Sequence, residues 1–328
     1  MKEQSERKII TVCADGSGDF CTLSEAAAAV GPDVPVQFRI GPGIYRERPF
    51  LERADTVITG AGMGKTIITA GVGGRDPWPG EEKTGTFRSQ TLFLGGQKVR
   101  IEHLTVENTA GDGARAGQAV AVYADAAQVF MDDVELCGNQ DTLFTSPLPL
   151  YVREKNGFRG PRENSPRLDT RQYYRNCVIR GNIDFIFGGA NAVFDRCRIV
   201  PIDHESGVSY ITAACTPQGK PGYLFAECEV AGSCKPGSVY LGRPWRSFAR
   251  VFWLDCTFSE EIAPAGWDNW NDPANERTAC FGEAGSRGPG APLPGTKRSF
   301  GTVDDAQTAE EMRRMLEEFR AEFGADEI

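Results

Sequence analysis

Histidine is scarce in this chain, occurring only as His103 and His204 in 328 residues. No Cys-x-x-Cys pair or Cys/His cluster accompanies them, so a structural metal site is disfavoured and no metal is expected. Runs of Lys or Arg are missing too, and 45 acidic groups against 36 basic ones leave a formal charge of -9. Phosphate backbones are bound through clustered basic groups, so nucleic acid is not an expected partner. No window approaches the apolar length of a membrane helix, which argues against a membrane partner. Positions 1–8 are polar and lack the apolar stretch and small-residue cleavage site of a secretory signal. With Met1 as the natural start the expected location is the cytoplasm, and secretion is the alternative. The G-x-S-x-G elbow of many serine esterases is absent. The segment Gly60-Ala-Gly-Met-Gly-Lys-Thr66 has three residues where a phosphate loop needs four, and it reads as a glycine turn.

What is present is a soluble globular composition, 40% hydrophobic and 25% charged. The apolar segments are short, rich in Val, Ile and Phe, and bounded by Gly, Asn, Asp or Pro. Residues 36–40, 66–70, 91–94, 99–106, 119–122, 178–180, 193–200, 208–212 and 250–258 read as strands. No helical pattern of crossover length separates them, which argues against a doubly wound sheet. Four cysteines, Cys177, Cys197, Cys228 and Cys256, close similar tetrapeptides such as Tyr-Arg-Asn-Cys and Phe-Asp-Arg-Cys. Related patterns end at Asn108 and Asp133, so most spacings fall between 20 and 31 residues, with one long gap. Such an irregular repeat predicts an all-β solenoid of the parallel β-helix kind, with free buried thiols stacked along one side and an inserted loop in the gap.

Short terminal helices are expected as caps. Thr22-Leu-Ser-Glu25 has the form of a capping box ahead of an alanine-rich run, 26–30. Met312, Met315, Leu316, Phe319 and Phe323 recur at helical spacing, predicting an amphipathic helix within 301–325 that packs on the solenoid. A catalytic β-helix domain over 9–290 would precede it, the Gly/Pro-rich 285–295 stretch lying between. The loop 71–85 is a candidate rim, in which Trp78 either meets substrate or packs a turn.

The polar constellation most suggestive of chemistry comprises Gln118-Ala-Val-Ala, Gln140-Asp-Thr-Leu143, Asp184-Phe-Ile-Phe-Gly188 and Leu241-Gly-Arg-Pro-Trp245. In this order the motifs resemble those of the pectin methylesterase (pectinesterase) family. The likeness extends from Asp15-Gly-Ser-Gly-Asp-Phe20 through Gly43-Ile-Tyr-Arg-Glu47 and Glu107-Asn-Thr-Ala-Gly111 to Gly288-Pro-Gly290. It implies a right-handed parallel β-helix that removes methyl groups from pectin. It also implies that Asp184 is the nucleophile, Asp141 the general acid and then base, and Gln118 and Gln140 the oxyanion donors. Arg243 would hold Asp184 ionised, and Trp245 would stack on substrate. Thr109, Phe185 and Tyr123, in or beside these motifs, are expected to touch substrate as well. Tyr123 stands where many plant relatives carry Arg, which bears on charge preference.

The chemistry is coherent. An ionised carboxylate can attack an ester carbonyl, a protonated one can supply the leaving methoxide with its proton, and carboxamide N–H groups can meet the oxyanion. Neither cofactor nor metal is needed. The expected partners are methyl-esterified pectin or oligogalacturonides, met by a monomer. Alternatives are glycoside hydrolysis by the same carboxylates, a catalytically silent carbohydrate-binding β-helix, and an esterase for another acyl compound.

Overall fold

A computed structural model describes residues 7–324. Short strands rich in β-branched and aromatic residues stack in parallel on the equivalent strand of the next coil. Residue for residue, Gln128–Cys137 pairs with Arg171–Arg175, which pairs with Asn191–Asp195, then Tyr223–Ala226, Arg250–Leu254 and Cys280–Ala284. Two further rows complete each coil, so the chain winds as a right-handed parallel β-helix. The long strand Leu92–Asn108 contributes to all three rows by turning two corners.

Inside the coils, equivalent positions carry like side chains. Tyr174, Phe194, Phe225 and Trp253 are stacked at centroid separations of 4.7, 4.4 and 4.0 Å. Such ring pairs add about 0.5–1.5 kcal/mol each beyond their burial. The cysteines form the neighbouring inward row as free, buried thiols. Each Sγ lies against a carbonyl of the preceding coil, as with Cys197 and Tyr174 O (3.4 Å) and Cys228 and Phe194 O (3.2 Å).

The register corrects the repeat at its start. Cys177 sits above Val134 and Leu104, not in line with Asp133 and Asn108. Asp133 is instead the left-handed turn residue before that row, with φ 54°. Asn108 lies at the far end of its strand, beside Ala70. The long gap does hold an insertion, 146–170, between strands Leu143–Thr145 and Arg171–Arg175.

At the start, helix Leu23–Ala28 is capped by Thr22, whose hydroxyl accepts the Glu25 N–H. At the other end, helix Ala306–Glu322 lays Met312, Met315, Leu316 and Phe319 against the outward face of the row containing Tyr173, Leu224 and Phe252. Position 325 of the expected helix lies outside the described residues. The 285–295 stretch stays on the solenoid, where Arg298 reaches both the Gly290 carbonyl (3.0 Å) and the buried Glu283 (2.5 Å).

Candidate active site

The third row of strands carries the polar motifs. Val122–Ala124, Leu143–Thr145, Ile183–Gly188, Ser209–Ala214 and Val239–Pro244 are successive rungs. Their outward face begins as an aromatic ladder, Phe93, Tyr123, Phe144 and Phe187, and ends in Ala213 and Arg243. Residues distant in sequence therefore converge over a few rungs. A cavity of about 350 Å³ opens there, lined by Gln118, Gln140, Asp141, Asp184, Arg243 and Trp245 among others.

Asp184 lies where the register shifts between Ile183 and Ile186, in the left-handed region at φ 50°. Its two carboxyl oxygens accept from Arg243, Nε to Oδ1 at 2.8 Å and Nη2 to Oδ2 at 2.7 Å. The guanidinium is sandwiched between the rings of Tyr210 at 3.8 Å and Trp270 at 3.9 Å. A planar cation with both faces and one edge occupied has little freedom to move. Burial would lower the Arg243 pKa, but the charge and bonds of Asp184 carry it above its ordinary value.

Asp141 follows the same backbone device at φ 66°, its amide donating to the Ile183 carbonyl at 3.0 Å. No hydrogen bond from the described residues reaches its carboxyl. Burial, and then the negative charge of Asp184, raise its pKa well above the usual carboxylate range, with Arg243 opposing. Burial also raises Asp184, helped by Asp268, but Arg243 opposes it through charge and hydrogen bonds. Arg243 favours the ionised form of Asp184, but desolvation prevails and the net shift is upward. The two carboxyls nevertheless differ, Asp141 being held protonated more strongly.

Gln118 and Gln140 are placed by their backbones. The Gln118 carbonyl accepts from Gly74 at 2.7 Å and the Gln140 carbonyl from Ala119 at 3.0 Å. Their carboxamides make no hydrogen bond within the described residues and face the cavity with N–H groups available. Gly113 lies against the Gln140 side chain so closely that a Cβ there would fall 3.0 Å from Gln140 Cβ.

Three expected substrate contacts are corrected. Phe185 is wholly buried in the solenoid core, because the register shift at Asp184 turns it inward; Phe187 reaches the cavity instead. Tyr123 is also wholly buried, 4.6 Å from Phe144 and beneath Phe87. Thr109 is exposed away from the cavity lining, its hydroxyl donating to the Ala70 carbonyl at 3.2 Å. Trp78 takes the turn-packing role, under the Arg88 guanidinium at 4.4 Å. Sequence reasoning missed Phe158, Phe187, Arg153, Arg246 and Trp270, all in the cavity wall.

Residues 9–156 and 167–313 match the family model described as Pectinesterase. The chain belongs to the pectinesterase family. It is 32% identical to Pectinesterase 31 of Arabidopsis thaliana over 294 residues, covering 87% of this chain and 84% of that protein. It is 33% identical to Probable pectinesterase/pectinesterase inhibitor 64 of the same plant over 86% of this chain, but spans only 46% of that longer protein. Among solved structures, the pectin methylesterase from carrot superposes with a TM-score of 0.76 at 28% identity, covering 94% of this chain and 92% of that one. Pectin methylesterase PemA from Erwinia chrysanthemi gives 0.73 at 25% identity, covering 93% and 96%. Within this pectinesterase-family chain, the unmatched residues 157–166 fall inside the 146–170 insertion, which supplies Phe158 to the cavity.

Proposed function

We propose that this chain hydrolyses the methyl esters of homogalacturonan or its oligomers, releasing methanol and a free uronate. The relatives are named pectinesterases and pectin methylesterases, and the chain shares their fold over most of its length. The observation that carries the reading is the asymmetric pair: Asp184 gripped by Arg243 on both oxygens, and Asp141 without a donor among the described residues and more strongly neutralised.

Asp184, as the anion, attacks the ester carbonyl carbon. The carbonyl oxygen takes the negative charge, which the Gln118 and Gln140 N–H groups stabilise. Collapse breaks the bond to methoxide, which leaves as methanol with the Asp141 proton, and an anhydride between substrate and Asp184 remains. Asp141, now a carboxylate, takes a proton from water as the water attacks the substrate carbonyl carbon of the anhydride. Asp184 departs as carboxylate, the substrate becomes a free acid, and Asp141 is again protonated. A raised Asp184 pKa suits this role, since a more basic carboxylate is a better nucleophile once ionised.

The test is methanol release from methylated oligogalacturonides and from polymeric pectin, with Asp184→Asn as control. The reading expects release by the native chain and loss of nearly all of it in the variant. Unchanged activity in Asp184→Asn overturns the nucleophile. Glycan binding without methanol release favours a silent carbohydrate-binding β-helix.

A further inference from the structure

The two rings that clasp Arg243 differ in origin. Tyr210 lies on the strand Ser209–Ala214, where ladder bonds fix it and Tyr240 stacks on it at 5.3 Å. Trp270 comes instead from a loop beyond the strand Val239–Pro244. Ahead of that loop the chain lays a partial rung over the Arg243 strand. Trp267 bridges Gly242, the Leu241 amide donates to the Gly266 carbonyl at 2.8 Å, and the Asp268 amide donates to the Gly242 carbonyl at 3.1 Å. Trp267 points into the core, 1% exposed, so Asp268, opposite Arg243, takes the outward face.

The backbone then enters the left-handed region at two successive non-glycine residues, Trp270 with φ 59° and Asn271 with φ 56°. Such a conformation persists where surrounding contacts impose it. The contact here comes from Asp268, whose Oδ1 accepts the Trp270 N–H at 2.7 Å and closes an Asx turn. That bond holds the Trp270 ring against the guanidinium, 3.9 Å away. A neutral asparagine would close the same turn, so the charge needs its own account. Asp268 makes no direct ion pair with Arg243 among the described residues. Its half-buried carboxylate nevertheless lies close enough to push up both Arg243 and Asp184. The other ionisable groups around Asp184 are Arg243, Asp141 and Tyr210. Asp268 does not line the cavity, so it acts on the nucleophile and its clamp rather than on substrate.

We propose that Asp268 is a positioning residue for the reaction, folding the turn that presses Trp270 onto Arg243 and placing a second anion beside the guanidinium that orients Asp184. The assignment rests on the demethylation reading above.

Two substitutions part the turn from the charge. Asp268→Asn keeps the acceptor and removes the charge. Asp268→Glu keeps the charge and, one methylene longer, withdraws the acceptor from the turn. In Asp268→Glu the kcat for methanol release should fall about tenfold with KM within about twofold of native, because a charge-assisted bond is lost away from the substrate. In Asp268→Asn the plateau kcat should stay within about twofold of native. Its acid limb should move to lower pH, since a negative neighbour that raised Asp184 is gone and Asp184 ionises sooner. The Asp184 midpoint is read without turnover by carbon NMR of carboxyl-labelled aspartates, assigned with Asp184→Asn, and circular dichroism verifies folding. Native kcat in Asp268→Glu, or a native Asp184 midpoint in Asp268→Asn, overturns the proposal; a turn with a purely structural role would give both, with only the Tm lowered. If the native chain releases no methanol but the midpoint falls in Asp268→Asn, demethylation is overturned and the second anion beside Asp184 stands.

Discussion

Replacing Arg243 by lysine keeps the charge and removes the geometry. The native guanidinium makes two bonds to Asp184, 2.8 and 2.7 Å, between two rings at 3.8 and 3.9 Å. An ammonium has one centre, so one of the charge-assisted bonds is lost, about 1.5–3 kcal/mol. It also offers no flat face, and weaker contact with Tyr210 and Trp270 forfeits about 1 kcal/mol more. The carboxylate then swings, and attack on the ester requires its orientation. About 3 kcal/mol appearing in the barrier corresponds to roughly a hundredfold in kcat. The pH profile provides a second readout. Arg243 opposes the desolvation that raises Asp184. Loosening it should raise Asp184 further, shifting the acid limb of activity to higher pH. Methanol release by Arg243→Lys across pH, with circular dichroism to verify folding, measures both effects. Activity within about threefold of native at every pH refutes the argument, because a fall this small, below 1 kcal/mol, leaves no place for orientation.

The native pH profile should be a bell: activity rises as Asp184 ionises, above the usual carboxylate range, and falls as Asp141 loses its proton at higher pH. Gly113→Ala should displace the Gln140 carboxamide and lower kcat by about a hundredfold, with little change in KM, measured by initial rates of methanol release. Asp141→Asn should abolish turnover yet raise the Tm at neutral pH. Its folded pKa lies above the unfolded one, so the native carboxyl costs stability as pH rises from the unfolded pKa through the folded one. Calorimetric scans should therefore show that gain vanishing once the pH drops below the ordinary carboxylate pKa. Arg320→Met removes two 2.8 Å bonds to the wholly buried Asp195, which keeps its 2.5 Å bond from Tyr173. About 2 kcal/mol of destabilisation should follow, seen as a lower denaturation midpoint with kcat unaltered.

The solenoid was legible because its rungs are short and its turns repeat. Strands 36–40 and 66–70 coincide with those observed at both ends. The expected 119–122 strand is displaced to Val122–Ala124; residues before it bond to Gln140 and Thr142 carbonyls without forming a regular rung. The site motifs were legible for the same reason: each lies on or beside one rung of a single row, so linear order becomes spatial proximity. Alternation failed at Phe185, since a register shift resets which face a side chain takes. Arg153, Phe158 and Trp270 were not legible at all. They come from loops whose position is set by distant contacts, such as Arg162 with Glu52, that no local pattern announces.

Backbone strain by itself would mark the wrong residues. Left-handed φ values recur at His103, Asp133, Asn176, Arg196, Glu227 and Asp255, all between 53° and 57°, at aligned turns of successive coils. There the conformation belongs to the solenoid. Asp141 and Asp184 adopt it outside that row, on the site-bearing face, where no architectural repeat demands it. Aspartate tolerates this region better than most residues, so both side chains can leave the pleat and enter the cavity at modest cost. The amide of Asp141 is bonded to the carbonyl of Ile183, immediately before Asp184, so a backbone shift of one carboxyl carries the other. Their relative placement is thus fixed by the ladder, and their difference in charge arises from the one partner they do not share equally. Arg243 hydrogen-bonds only Asp184, and this guanidinium decides which member of a jointly desolvated pair is the easier to ionise.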